Sequence, residues 1–119
     1  MLTVYFSEKE LACPCCGEIH MDKKFMQLLE RTRMYAQIPM NVNSGYRCEK
    51  HNADPEVGGK PNSSHLRGKA ADIAIATSSQ RFTILAAAIK AGFTRIGIGK
   101  TFIHLDSDDT KAQEVSWIY

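Results

Sequence analysis

The chain has no apolar run that approaches the length of a bilayer span, so no segment is expected to insert into a membrane as a helix. Its N-terminus, Met1-Leu2-Thr3-Val4-Tyr5-Phe6-Ser7-Glu8, lacks the basic region and the long apolar stretch of a secretory leader. The expectation is a chain that is cytoplasmic as synthesised. A formal net charge of +2 is too small to argue for nucleic acid, and would at most assist contact with an anionic cell-wall surface. Repeats, low-complexity tracts and a linker are missing, so nothing divides the chain. What remains is 119 residues, 44% hydrophobic and 24% charged, which suits one globular domain over residues 1–119 with a single modest core.

Cysteine is scarce but clustered. Cys13, Cys15 and Cys16 fall in Cys-Pro-Cys-Cys-Gly, and Cys48 lies far along the chain. Cys13-x-x-Cys16 has the spacing of zinc ligands, which His20 or Cys48 would complete as a structural site. Reduced, packed thiols fit the same residues, as does one disulfide to Cys48 after export.

Pro14 and Gly17 argue against a helix through the first twenty residues, which are expected to form an arm and a knuckle. Asp22 has the character of an N-cap, with Met21 and Met26 placed for a hydrophobic staple. The spacing predicts a helix from Lys23 to Ala36 that buries Phe25, Leu28, Leu29, Thr32 and Tyr35 or Ala36, with Pro39 as its stop. A short strand follows over Met40 to Ser44. Residues 48–64, with Asp54-Pro55, Gly58-Gly59 and Pro61, predict one long loop, and a loop of that length in so small a domain is more often functional than not. The alternation through Ala70-Ala71-Asp72-Ile73-Ala74-Ile75-Ala76 predicts a strand with Ala71, Ile73 and Ile75 facing the core and Asp72 opposite. Ser78 or Ser79 is expected to cap a second helix with Phe82, Leu85, Ala86 and Ile89 on its buried stripe and Gly92 at its C-terminal cap. Arg95-Ile96-Gly97-Ile98 and Phe102-Ile103-His104-Leu105-Asp106 predict a hairpin across Gly99-Lys100-Thr101. Val115 to Tyr119 forms a final strand or an ordered tail. Gly99-Lys100-Thr101 resembles a P-loop ending only superficially, because the glycine required five positions earlier is Thr94.

Two segments carry the chemistry. Asn62-Ser63-Ser64-His65-Leu66-Arg67-Gly68-Lys69-Ala70-Ala71-Asp72 holds a histidine and a carboxylate, and His104 sits in the later strand with Asp106 on its own face. Two imidazoles and a carboxylate from separate segments suit a catalytic zinc site, where three protein groups hold the ion and a fourth position stays open.

The pattern S-x-H-x-x-G-x-A-x-D, met by Ser63, His65, Gly68, Ala70 and Asp72, is followed by H-x-D at His104 and Asp106. With Ser44-Gly45-Tyr46-Arg47, and with His51-Asn52 before Val57-Gly58-Gly59, it resembles the M15 peptidases, the zinc D-Ala-D-Ala carboxypeptidase family, and most of all their compact phage and bacterial members. The resemblance runs from about Phe6 to Trp117. It implies an α+β fold like that of hedgehog and the D,D-peptidases, a small antiparallel sheet of about four strands with helices against one face. It also implies one catalytic Zn2+ held by His65, Asp72 and His104, and a peptidoglycan stem peptide as substrate, cut by a carboxypeptidase or an endolysin-type endopeptidase that reaches the wall after release.

In that resemblance Arg47 is similar to a substrate clamp, and a guanidinium suits a peptide's terminal carboxylate by bidentate contact. Ser63 either bonds substrate or holds the loop, His51 and Asn52 organise the loop, and Trp117 reads as core. The better-known members place an acidic residue three positions before the last histidine ligand, where this chain has Thr101. The catalytic carboxylate in register is Asp106, either as general base or as a partner that orients His104. The rival implied by Thr101 is a catalytically silent zinc-binding module of the same fold, acting in cell-wall or partner binding.

Overall fold

The computed structural model describes residues 3–119, and the first two residues of the expected arm lie outside them. The described residues form four α-helices, a 3-10 turn and five strands: α1 (Glu8–Leu11), α2 (Lys23–Ala36), β1 (Val42–Ser44), α3 (Glu49–Ala53), the turn over Ser64–Arg67, β2 (Ala70–Ala74), α4 (Ser78–Ala91), β3 (Arg95–Ile98), β4 (Phe102–Asp106) and β5 (Val115–Ile118). The fold is α+β, with strand order β1-β2-β4-β3-β5.

Alternation divides the sheet into an apolar and a polar side. Ala71, Ile73 and Ile75 from β2 and beyond, Ile103 and Leu105 from β4, and Ile96 from β3 are buried with Phe25 and Leu29 of α2 and Ile84, Ala87 and Ala88 of α4. Phe6 and Leu11 of the N-terminal arm complete this core. The opposite side carries Asp72, His104, Asp106 and Arg95.

Helix α2 has the predicted bounds. The Asp22 carboxylate accepts the Phe25 amide at 2.9 Å as N-cap, and Gln37 closes the helix in the left-handed region. Phe25, Leu29, Thr32 and Ala36 are buried, whereas Leu28 is half-buried and Tyr35 is 42% exposed.

Helix α4 differs from expectation in its cap and in its face. The cap is Thr77, whose hydroxyl accepts the Gln80 amide at 3.0 Å, not Ser78 or Ser79. The buried positions are Ile84, Ala87, Ala88 and Ala91, while Phe82 and Ile89 stand 74% and 65% exposed. Apolar residues run most of the way round this helix, so periodicity alone supported either stripe. The alanine-rich face fits where α4 packs against α2, since short side chains let the two backbones approach.

Residues 48–64 are not one loop. Cys48 caps the short α3 by accepting the His51 amide, and the chain leaves α3 with Asp54 extended before Pro55, a residue that disfavours helix in its predecessor. The sheet also has a fifth strand. β1, β2, β4 and β3 pair antiparallel as expected, but β5 runs parallel to β3, with Arg95 opposite Val115 and Gly97 opposite Trp117. The end of β4 lies beside the start of β3, so segment 107–114 carries the chain past that start and into parallel register. Among the described residues no helix is long and apolar enough to cross a membrane.

Candidate metal centre

The β2–β4 register builds the floor of the site. Asp72 is the direct cross-strand partner of His104, and Ala70 that of Asp106, so an aspartate meets an imidazole while a methyl group leaves Asp106 its space. Asp72 Oδ1 lies 2.9 Å from His104 Nδ1.

His65 arrives from the side on the 3-10 turn. Ser63 Oγ accepts the His65 amide at 3.2 Å to start this turn, and Gly68, at φ 68°, ends it. Glycine is required there: a Cβ would stand 1.7 Å from the His20 carbonyl oxygen. The imidazole is 2% exposed. Its Nδ1 lies 2.7 Å from the Gly45 carbonyl oxygen, which can only accept, so Nδ1 carries a proton there, and Nε2 faces Asp72 Oδ1 at 3.4 Å. Gly45 is pressed against the backbone of Leu11, where a Cβ would lie 2.7 Å from the Leu11 carbonyl oxygen.

His104 is held from its far side too. Its Nε2 donates to Asp106 Oδ2 at 2.7 Å, while the other oxygen, Oδ1, accepts from Arg95 Nε at 2.7 Å and from the Asp108 amide at 3.1 Å. Burial opposes charge on His104, but hydrogen bonds from the Asp106 and Asp72 carboxylates outweigh it and raise its pKa. Burial likewise works against ionised Asp72 and Asp106, yet the histidines facing them hold both carboxyls below the ordinary carboxylate range.

The nearest ligand atoms of His65, Asp72 and His104 all lie within 4.8 Å of one another. Each imidazole turns one nitrogen to this centre and has the other engaged by an acceptor, the arrangement that orients histidine ligands. Two nitrogens and a carboxylate oxygen, supplied by three segments, fit a zinc ion with an open position.

Above the centre is a cleft of about 680 Å³, within the range of small-molecule sites. Arg47 lies in it, its Nη2 3.2 Å from Asp72 Oδ2, its Nε 3.0 Å from Ser44 Oγ and its Nη1 3.3 Å from Asn52 Oδ1. Asn52 in turn donates to the Lys60 carbonyl at 2.7 Å, which ties the 58–60 segment down. Ser63 also lines the cleft.

Several residues here were not singled out from sequence. Arg95 shares its strand face with Gly97, opposite Ile96 and Ile98, so its polar-side placement was legible, but its partner Asp106 was not. Asp108 is fully buried and takes hydrogen bonds from Ser64 Oγ at 2.8 Å, from Arg67 and from the Thr110 hydroxyl, bracing the turn that carries His65. Trp117, expected in the core, instead walls the cleft with its ring 5.6 Å from that of His104 and under the Arg95 guanidinium. Gly97 makes this fit, because a Cβ there would meet Tyr119 at 2.6 Å and Trp117 at 2.7 Å.

Fold and site together describe a small α+β domain with two histidines and an aspartate converging under an open cleft. The family model described as peptidase M15 matches residues 4–106, which takes in every element through β4. The chain belongs to the peptidase M15 family. β5, with Trp117, lies beyond the matched region. No curated protein matches the chain.

Proposed function

We propose that the protein, as one domain over residues 1–119, is a zinc-dependent metallopeptidase that hydrolyses peptidoglycan stem peptides. The observation that carries the reading is the convergence of His65 Nε2, His104 Nδ1 and Asp72 Oδ1, with each imidazole oriented from behind. His65, Asp72 and His104 would hold the ion. When bound there, zinc polarises a substrate carbonyl and lowers the pKa of water to about 7.

The cleft's other residues favour an anionic peptide. Arg47, Lys60, Arg95 and Lys111 line it against only two carboxylates, Asp72 and Asp106. Arg47 offers a planar fork for a terminal carboxylate and would exchange Asp72 for it as substrate enters, fixing the scissile bond over the centre. Ser63 keeps a hydroxyl hydrogen free for substrate while its oxygen holds the turn. Trp117 and Tyr119 give an apolar wall. Asp106, engaged on both oxygens, acts on His104 as a positioning residue.

Mass spectrometry of muropeptides after digestion of purified peptidoglycan, with and without chelator, tests this reading. The expected result is zinc-dependent loss of a terminal D-alanine or of a stem fragment, and the mass lost names the bond. The second reading, a silent metal-binding module, draws on one observation: Asp106 is already engaged and Thr101 supplies no acid. No release under zinc-replete conditions would count against the enzyme and in favour of this module.

A further inference from the structure

We propose that Cys13, Cys15, Cys16 and Cys48 hold a second zinc ion in a closed structural site, separate from the cleft. The four sulfur atoms lie within 4.8 Å of one another although Cys48 is remote in sequence. Cys13 Sγ is 3.7 Å from Cys15 Sγ and 3.6 Å from Cys48 Sγ, and Cys15 Sγ is 3.3 Å from Cys48 Sγ. Four thiolates at a Zn–S distance of about 2.3 Å form a tetrahedron with edges of about 3.8 Å, close to these separations. A disulfide needs about 2.05 Å and would leave two of the four sulfurs without a role. Packing does not account for the cluster either. Buried thiols behave as small hydrophobes, but Cys15 and Cys16 are exposed and only Cys13 is buried.

The backbone around the cluster is shaped for ligation. Gly17, at φ 75°, lets the chain double back, with the Gly17 amide on the Cys13 carbonyl at 2.7 Å and the Cys13 amide on the Glu18 carbonyl at 2.8 Å. Two amides point at sulfur: Cys48 N–H at Cys13 Sγ, 3.5 Å, and His51 N–H at Cys48 Sγ, 3.4 Å. Such donors favour thiolate over thiol. His20, the other residue placed to complete the set, is turned away, with Nε2 3.4 Å from Glu18 and its ring edge-on to Tyr46. Four protein ligands leave no open position, so the site is structural rather than catalytic.

Its place in the fold gives it a task. Cys48 directly follows Arg47, and the Tyr46 amide donates to the Leu11 carbonyl at 2.8 Å. An ion clasping residues 13–16 to Cys48 therefore secures the loop that presents Arg47 and the Gly45 carbonyl that orients His65. The two sites share no ligand.

The test is metal stoichiometry of the full-length chain purified with zinc, with free thiols counted in parallel. Wild type is expected to hold about two zinc ions, His65→Ala and Cys16→Ser about one each, and the double variant none. Because cysteine variants can misfold, a second measurement uses wild type loaded with Co(II), where a tetrathiolate site gives intense thiolate-to-metal charge-transfer bands that the His/Asp/His centre lacks. His65→Ala should retain those bands. Their absence, unchanged zinc content in Cys16→Ser, iron in place of zinc, or a disulfide in the isolated protein would each overturn the proposal. None of these results bears on the cleft, whose occupancy the His65→Ala arm reads separately.

Discussion

Asp106 sits two residues from His104 on the same face of β4, a spacing of about 6.5–7 Å along the strand, so it can in principle reach either the imidazole or the open position beside it. It reaches the imidazole, at 2.7 Å, and is 1% exposed. Asp106→Asn should therefore weaken zinc affinity by roughly 10–100-fold, with the rate restored at saturating zinc. If activity instead stays ~10²–10⁴-fold low with zinc fully bound, Asp106 is the proton acceptor. Arg47 is tested by geometry rather than charge. Arg47→Lys should impair hydrolysis of peptides with a free C-terminus, because an ammonium cannot form the bidentate contact. Amidating the peptide should erase most of the gap between wild type and variant; a gap that survives amidation would assign Arg47 to holding Asp72 and Asn52 instead.

At the scale of elements, strand alternation was the dependable signal and helix periodicity the weaker one. β2 and β4 present the residues their sequences predict, since a strand has only two faces. Helix α4 offered several stripes, and the one in contact with α2 was decided by which side chains are short. The expectation is that Ile84→Ala costs ~2–5 kcal/mol of unfolding free energy, while Phe82→Ala changes it by no more than ~0.5 kcal/mol. Denaturant titration of both variants measures this, and a Phe82→Ala loss as large as that of Ile84→Ala would contradict the buried face of α4 described here. Segment 48–64 concealed α3 because Asp54-Pro55, Gly58-Gly59 and Pro61 mark most of the stretch as loop, the helix is only five residues long, and the cap that starts it is a cysteine, a residue with weak hydrogen-bonding capacity.

For the molecule as a whole, the polar side of the sheet contributes two opposed pH dependences to the metal-free protein. Asp72, Asp106 and Asp108 have folded pKa values below the ordinary range, so their contribution is present above about pH 4 and is lost as pH falls through the lowered values. His104 has the opposite sign: its raised folded pKa stabilises below about pH 6.5, and that part is lost as pH rises through the raised value. Their combined contribution to the Tm of chelator-treated protein should thus be greatest between about pH 4 and 6.5, read as the difference between wild type and His104→Ala. Zinc should remove the alkaline decline, because ligation needs His104 Nδ1 unprotonated. A wild-type Tm that changes from about pH 6 to 8 without metal just as that of His104→Ala does would refute the role given to His104.

Local rules determined much of this protein by themselves. The Asp22 cap and bounds of α2, the faces of β2 and β4, the turn between β3 and β4, and the glycine cap at Gly92 follow from periods, caps and backbone preferences that act within a few residues. The His65, Asp72 and His104 set was legible as residue types and spacing. What the tertiary structure decided lies between segments: the register that puts Asp72 opposite His104, the Gly45 carbonyl behind His65, the Arg95–Asp106 pair, the parallel β5 that lays Trp117 over Gly97, and the meeting of Cys48 with the N-terminal cysteines. These contacts join residues tens of positions apart, and no local preference encodes them. They form only when burial of the shared core brings the segments together.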